Sequence, residues 1–326
     1  MLVFGLEGSP RKKGNTRFLL SAFMAEAEKR GAETRVIHAH DMPVSPCIEC
    51  GVCERKGVCS IDDKMQKEIY PLLRRAEVVV LASPIFFYNI TAQLKAPVDR
   101  SQTLWSCRYR LGLNDPRHKT RQGLLMSVGA TKGKSLFEGT HLTARYFFDA
   151  ISAKYAGGLT YFKVEAPGDM EKHPTYRQDI EEMADLLVDP LLKRRKVLFA
   201  GRENRCRSQM AAAFAQYHAG DRIEAFGAGS APAGKIDPAT QEVMAEKKID
   251  MGFRIPRSIE EVVAQDKPDT LVAMGCDDPR GDLSGATRID WEMEDPVGQG
   301  LDAMRKVRDE IEKKVLDLTE SLDAAS

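Results

Sequence analysis

The chain has 326 residues, enough for two domains of ordinary size, and its 43% apolar and 29% charged content is that of a folded globular protein, not a disordered or fibrous one. Forty-eight basic and forty-eight acidic residues cancel, which argues against recognition of nucleic acid or another polyanion through a global field. The longest apolar run, near Val78–Ala82, is far too short to span a bilayer, and Met1–Gly8 has no basic n-region or cleavage site, so neither a membrane segment nor a signal peptide is expected and the chain is read as cytoplasmic.

Leu2–Leu6 is a short apolar strand, and Glu7-Gly-Ser-Pro-Arg-Lys-Lys-Gly-Asn-Thr16 leads from it into an amphipathic helix over 17–30. Strand, Gly/Ser-rich loop and helix in that order make an anion site, because a helix start offers unpaired N–H groups and a partial positive charge. Ser9, Asn15 and Thr16 add neutral donors and Arg11 adds charge. Ser, Asn and Thr are also ordinary caps, so this loop alone does not separate a phosphate site from a capped turn.

A strand over 34–38 is followed by Cys47-Ile-Glu-Cys50-Gly-Val-Cys53-Glu-Arg-Lys-Gly-Val-Cys59, four of the seven cysteines within thirteen residues. An odd total with four packed together suggests an intracellular metal or redox protein, not a disulfide framework. Thiolates at such short steps suit a cubane iron–sulfur cluster better than zinc, which usually takes two separated pairs. The alternatives are a redox-inert loop of buried thiols or a thiol–disulfide pair. His38 and His40 read as loop residues without a metal role, and Cys107 as a buried small hydrophobe.

A helix is predicted over 62–75, then the fully apolar strand 77–82, the kind buried on both faces of a parallel sheet. It ends in Ser83-Pro-Ile-Phe-Phe-Tyr-Asn89, whose aromatics could pack on a planar ring. Strand 123–128 runs into Gly129 and Ala130, which allow close backbone approach, and a helix over 136–153 precedes strand 156–162. Strictly alternating strands and helices predict a doubly wound parallel sheet with ligands at the carboxyl ends of its strands.

Residues 1 to about 180 resemble the flavodoxin-like FMN reductase family, in particular its iron–sulfur flavoprotein branch. The matching segments are Gly8-Ser-Pro-Arg-x-x-Gly-Asn-Thr16, the cysteine string with Asp62-Asp63, Ser83-Pro-Ile-Phe-Phe-Tyr-Asn-x-x-Ala-Gln-Leu-Lys95 with Asp99-Arg100, and Ser127-Val-Gly-Ala-Thr-Lys-Gly133. The resemblance implies FMN, its phosphate at Ser9, Arg11, Asn15 and Thr16 and its ring against Pro84, Ile85, Phe86, Phe87, Tyr88, Asn89, Gly129 and Ala130. It implies a [4Fe–4S] cluster on Cys47, Cys50, Cys53 and Cys59, NAD(P)H or ferredoxin as electron donor, and a homodimer or tetramer.

A short join with Pro190 and Lys193-Arg-Arg-Lys196 divides this domain (1–190) from a second (195–326). Strand 196–200, the loop Gly201-Arg-Glu-Asn-Arg-Cys-Arg-Ser208 and a helix to about His218 repeat the anion-cradle order, and a last helix is read over 300–318. This half resembles the low-molecular-weight tyrosine phosphatase fold, specifically the thioredoxin-coupled arsenate reductases. The resemblance rests on Asn204-x-Cys-Arg-Ser-Gln-Met-Ala211, Gly227-Ala-Gly-Ser230, Met274-Gly-Cys-Asp-Asp278 and Asp290-Trp-Glu-Met-Glu-Asp-Pro296. The fold expected for the whole chain is thus two αβα domains, flavodoxin-like then phosphatase-like.

The departures matter most. In the family loop, Cys-x5-Arg, the cysteine attacks; counting back from Arg207, that position is Gly201, which cannot. Cys206 sits at the helix start, where a lowered pKa is expected. Cys276 matches one resolving thiol, but its partner is missing from Pro279–Ser284. Asp295 matches the phosphatase general acid. Arg202 and Arg205 favour an anion and Glu203 opposes one. The reading is an FMN-dependent oxidoreductase fused to a degenerate domain that binds phosphate or arsenate through Asn204, Arg207, Ser208 and Asp295. A second domain that only scaffolds or dimerises, a redox-sensing binding protein, or an arsenate reductase driven by flavin electrons are the alternatives.

Overall fold

The computed structural model describes residues 1–42, 44–275 and 283–324. Cys276 and its neighbours through Asp282 lie outside the described residues. The chain divides into two compact units: Met1–Gly112 with Thr120–Leu192, and Lys193 onward with Leu113–Lys119.

In the first unit β1 (Leu2–Glu7), α1 (Asn15–Arg30), β2 (Glu33–His38), α2 (Val52–Lys56), α3 (Tyr70–Arg75), β3 (Val78–Pro84), α4 (Ala92–Arg100), α5 (Gln102–Tyr109), β4 (Gln122–Gly129), α6 (Glu138–Ala150), β5 (Lys154–Phe162), α7 (Tyr176–Leu187) and α8 (Asp189–Leu192) follow one another. The five strands form one all-parallel sheet in the order β2-β1-β3-β4-β5. The central strands are apolar throughout because helices cover both faces. Leu19, Leu20 and Phe23 of α1 and Ile180 and Ala184 of α7 bury one face over Val78, Val80, Leu124 and Met126.

The helix expected over 62–75 is interrupted. Met65–Ile69 is a wide π turn and α3 starts only at Tyr70. Pro71 is the cause: it has no N–H to close an ordinary helical turn on Lys67.

The second unit contains β6 (Arg195–Gly201), α9 (Arg207–Ala219), β7 (Ile223–Gly229), α10 (Pro238–Glu246), α11 (Ile259–Gln265), β8 (Thr270–Ala273), β9 (Thr287–Asp290) and α12 (Leu301–Ala324). Its sheet, order β7-β6-β8-β9, is also wholly parallel. Phe199 and Phe214 pack with Met304, Val307 and Ile311 of α12 on one face, and Leu198 and Ala200 with Ile259 and Val262 on the other. The fold class is therefore two parallel-sheet α/β domains. One detail departs from a simple cut at the 190–195 join. Asn114 pairs with Ile249, its N–H donating to the Lys248 carbonyl (2.7 Å) and its carbonyl accepting from the Asp250 N–H (2.8 Å). Such a backbone bridge leaves no mark in local composition.

No described helix is long and apolar enough to cross a membrane.

Candidate functional site

Three loops of the first unit gather chemistry at strand ends. Helix α1 starts at Gly14 without a side-chain cap, and among the described residues the N–H groups of Asn15, Thr16 and Arg17 have no acceptor. Such groups need an anion or water. Ser9 is buried and Thr16 fully so. The Ser9 N–H is held by the Glu7 carboxylate (2.7 Å), and its Oγ accepts from the Arg11 N–H (3.2 Å), which leaves the hydroxyl hydrogen for a ligand. Arg11 is exposed at the loop edge. Asn15 behaves differently from the expected donor. Its amide donates to the Ala166 carbonyl (2.8 Å) and accepts from the Met170 N–H (3.2 Å), so it fastens the 166–170 loop beside the helix start.

Glu7 was not singled out by sequence. It is fully buried at the end of β1 and, besides Ser9, holds His38 Nδ1 (2.9 Å) and Arg17 (3.3 Å). His38 is thus a structural partner of the loop.

After β3, Phe86 and Asn89 exchange two backbone hydrogen bonds (2.8 and 3.0 Å), with Phe87 (φ 48°) and Tyr88 (φ 60°) at the turn tip. Both aromatics occupy left-handed backbone space that favours Gly or Asn, at a cost of about 1–3 kcal/mol each. The strained turn is braced. Thr143 donates to Asn89 Oδ1 (2.9 Å), and a Cβ on Gly139 would stand 2.3 Å from the Tyr88 carbonyl, so only glycine lets α6 come this close. Phe87 is fully exposed, and Phe86 and Tyr88 half so. Pro84 ends β3 and Ile85 donates its N–H to the Val128 carbonyl (3.2 Å), which lays this turn beside Gly129 and the exposed Ala130. An uncapped helix start and a rigid, solvent-facing aromatic turn on adjacent strands fit a phosphorylated planar cofactor.

The cysteine loop is neither buried nor disulfide-bonded. Cys47 and Cys50 are exposed, Cys53 and Cys59 half-buried, and all four are free. Among the described residues no three potential metal ligands are brought together, so the four sulfurs do not converge into a ligand set here. As a donor set they fit a thiophilic iron cluster in kind: four thiols, none in a disulfide. A hydrogen bond from Ser60 (3.0 Å), with the Val52 N–H and the nearby Arg55, lowers the Cys50 pKa and so favours its thiolate. Below the loop lies α5, a helix not expected from the sequence. Ser106 donates to Cys53 Sγ (3.6 Å), and buried Cys107 lies 3.4 Å from the Gly57 carbonyl.

In the second unit the loop after β6 lines a cavity of about 290 Å³ with residues 201–208, Asp295 and Val297. Its carbonyls are spoken for: those of Gly201, Arg202, Glu203 and Arg205 accept from Ser230, Ala231, Ala233 and Asp237. The N–H groups of residues 203 to 208 find no acceptor among the described residues. Amides left open while carbonyls are tied away make an anion nest. Three guanidiniums (Arg202, Arg205, Arg207) face two carboxylates (Glu203, Asp295) around it. Glu203 is paired with Arg205 (2.6 Å), which blunts the repulsion expected of it.

Arg207 donates to the Met293 carbonyl (3.0 Å) and pairs with Asp295 (3.4 Å). Asn204 is buried, with φ 50°; its amide donates to Ser208 Oγ (2.9 Å), and its Oδ1 accepts from Gln209 Nε2 (2.8 Å) and the Arg257 N–H (2.9 Å). It shapes the loop and aims Ser208, with one N–H of its amide used on that hydroxyl. Ser208 in turn lies where a Cβ on Gly201 would reach, 3.4 Å from its Oγ.

The lowered pKa expected for Cys206 does not occur. Its sulfur is buried against the Met304 thioether (3.4 Å), and burial pushes the thiol up to about 11 despite the helix start. At pH 8 its thiolate fraction is then roughly a hundredfold below that of an ordinary thiol. Iodoacetamide labelling followed by peptide mass analysis should find Cys50 modified well before Cys206. Equal rates would contradict this geometry.

Comparison with known proteins agrees with both halves. Residues 1–157 match the family profile of NADPH-dependent FMN reductases, and residues 196–326 that of low molecular weight phosphotyrosine protein phosphatases. An iron–sulfur flavoprotein of Methanosarcina thermophila is 31% identical over 198 residues, which cover 59% of this chain and 95% of that protein. One from Methanocaldococcus jannaschii is 35% identical over 132 residues, 40% of this chain and 64% of its own length, so less than two thirds of that relative is spanned. A glutaredoxin arsenate reductase of Synechocystis sp. is 31% identical over 126 residues, covering 38% of this chain and 95% of that protein. The chain therefore belongs, in its first half, to the NADPH-dependent FMN reductase family as a flavin oxidoreductase akin to the iron–sulfur flavoproteins and, in its second half, to the low molecular weight phosphatase family alongside arsenate reductases.

Proposed function

We propose that this protein moves electrons through FMN and a [4Fe–4S] cluster in its first unit, and that its second unit binds a tetrahedral oxyanion, phosphate or arsenate, without attacking it. The observation that carries the reading is the cradle at 201–208: an open set of amides and guanidiniums around a glycine where a nucleophile would be needed.

In the first unit, the open N–H groups of Asn15 and Thr16 with the Ser9 hydroxyl would take the FMN phosphate, while Asn15 orders the adjoining loop. Phe86, Phe87 and Tyr88, with Pro84, Ile85, Asn89, Gly129 and Ala130, would flank the ring. Cys47, Cys50, Cys53 and Cys59 would hold the cluster. A flavin handles one or two electrons and a cluster one, so the pair converts between two-electron and one-electron traffic. NAD(P)H or a ferredoxin serves as donor. A fully exposed Phe87 on a strained, braced turn supports a second copy of the chain covering it, as in a homodimer.

In the second unit, Arg207 and the amides of 203–208 hold the anion, with Ser208 as a neutral donor. Phosphate or arsenate at a hundredfold over its dissociation constant should stabilise the protein by about 2.7 kcal/mol, read as a rise in melting temperature. Arg207→Ala should remove the response, and chloride should not reproduce it. If neither anion shifts the melting curve at millimolar concentration, the second unit is a scaffold. For the first unit, an absorption spectrum of anaerobically purified protein with iron and sulfide analysis decides the cluster. Flavin bands alone, without iron, would leave an FMN reductase with a bare thiol loop.

A further inference from the structure

The two ends of the cysteine loop meet on one buried guanidinium. Arg100, at the last position of α4 and 1% exposed, donates to the Ser45 carbonyl (2.9 Å), to the Ile61 carbonyl (3.2 Å) and to both oxygens of Asp63 (3.0 and 3.1 Å). Asp63 completes the knot by accepting from the Ser45 N–H (3.3 Å) and the Met65 N–H (3.1 Å). Residue 45 lies just before Cys47 and residues 61–63 just after Cys59, so every thiol of the string lies between two strands of chain tied to the same side chain.

Little else fixes the loop. Residues 45–50 are exposed, and α2, five residues long, buries none of its side chains. Val44 is buried just before this stretch, but from Ser45 to Cys50 a bidentate, charge-assisted pair and not apolar burial holds the loop's mouth. Arg100 itself is anchored from behind, since Tyr70 donates its hydroxyl to the Arg100 carbonyl (2.6 Å). From there the chain continues directly into α5, whose Ser106 and Cys107 underlie Cys53 and Gly57.

The geometry points to Arg100 and Asp63 as positioning residues for the thiol set: a buckle that fixes the separation and register of the loop's two ends, so that Cys47, Cys50, Cys53 and Cys59 can close on one metal centre. This rests on the reading of those four cysteines as ligands. The planar fork matters as well as the charge, because a lysine presents its three N–H donors from a single nitrogen and cannot span two carbonyls and a carboxylate. Residues that orient ligands from behind typically cost ten- to a hundredfold in metal affinity when altered.

The test uses the full-length protein stripped of iron and titrated with cobalt(II), whose thiolate charge-transfer absorption reports sulfur ligation. Arg100→Lys and Asp63→Asn are compared with wild type and with Lys95→Ala, which removes an exposed ion pair (2.6 Å to Asp99) on the same helix. Arg100→Lys and Asp63→Asn should bind cobalt(II) ten- to a hundredfold more weakly, while bound flavin per chain stays at the wild-type value; Lys95→Ala should match wild type in both. Affinity within twofold of wild type in both variants would overturn the buckle. So would an affinity loss that merely tracks flavin loss, which would mark a general folding defect. Should Arg100→Lys fail to fold, the near-isosteric Asp63→Asn decides alone. A wild-type protein with no thiolate band would instead overturn the ligand reading, and the buckle with it.

Discussion

Gly201→Cys is expected to raise aryl phosphatase activity far above that of wild type. Turnover of p-nitrophenyl phosphate should rise at least about a thousandfold above the wild-type background, the order of effect that a covalent nucleophile carries. The structure leaves room for it. A Cβ at this position meets Ser208 Oγ at 3.4 Å, Ser208 Cβ at 3.7 Å and the Met274 carbonyl at 3.9 Å, all ordinary contacts. A cysteine here is thus a chemical change without a steric one, and the cradle holds space for its Cβ. The new sulfur would attack phosphorus from the loop floor and expel the phenolate, with Asp295 beside the anion site to protonate the leaving oxygen. Water would then release phosphate. Gly201→Ser fits the same space without an acidic thiol and should stay inactive, as should Gly201→Cys combined with Arg207→Ala. Arsenate should not be turned over, because reduction needs a resolving pair of thiols that Pro279–Ser284 does not supply. A folded Gly201→Cys protein without phosphatase activity would mean that Arg207, drawn to Met293 and Asp295, no longer serves the cradle.

Both sheets were legible because buried parallel strands are apolar without alternation and each is followed by an amphipathic helix. The loops between strand and helix were legible as positions, but glycine, serine and asparagine there serve a capped turn as well as an anion site. What could not be read was the direction of individual side chains. Asn15 and Asn204 look like ligand donors in the sequence, and each also holds distant backbone that the sequence does not reveal: Asn15 donates to Ala166 and accepts from Met170, and Asn204 accepts from Arg257. The Arg100 buckle joins residues 37 to 55 positions apart, a pairing with no local periodicity to betray it. Cys206 shows the same limit in its electrostatics. A helix start predicts a lowered pKa, but the burial that reverses it comes from Met304 on α12, nearly a hundred residues away.

The same limit concealed how tightly the two halves of the proposed flavin site depend on each other. Gly8 opens the phosphate loop, and a Cβ there would stand 2.6 Å from Leu94 Cβ and 2.6 Å from Thr91 Oγ1. Thr91 caps α4, accepting from the Leu94 N–H (3.4 Å), and donates its hydroxyl to the Gly8 carbonyl (2.8 Å). Its own N–H is held by Ser83 Oγ (3.1 Å), so the start of α4 and the end of β3 form one rigid piece with the aromatic turn between them. Gly8→Ala must therefore push the phosphate loop away from the ring-binding turn. Leu94 Cβ is too close to its backbone to swing aside. Overpacking of this kind costs about 1–3 kcal/mol. If that cost falls on the bound geometry, FMN affinity drops about ten- to a hundredfold. Fluorescence titration of the deflavinated protein with FMN measures it, and thermal unfolding separates lost affinity from lost fold. Thr91→Ala should not rescue Gly8→Ala, since the clash with Leu94 persists and the cap is gone. Should Gly8→Ala bind FMN as wild type does, the two loops move independently, and the flavin site is held together by the cofactor itself and not by the contact between Gly8 and α4.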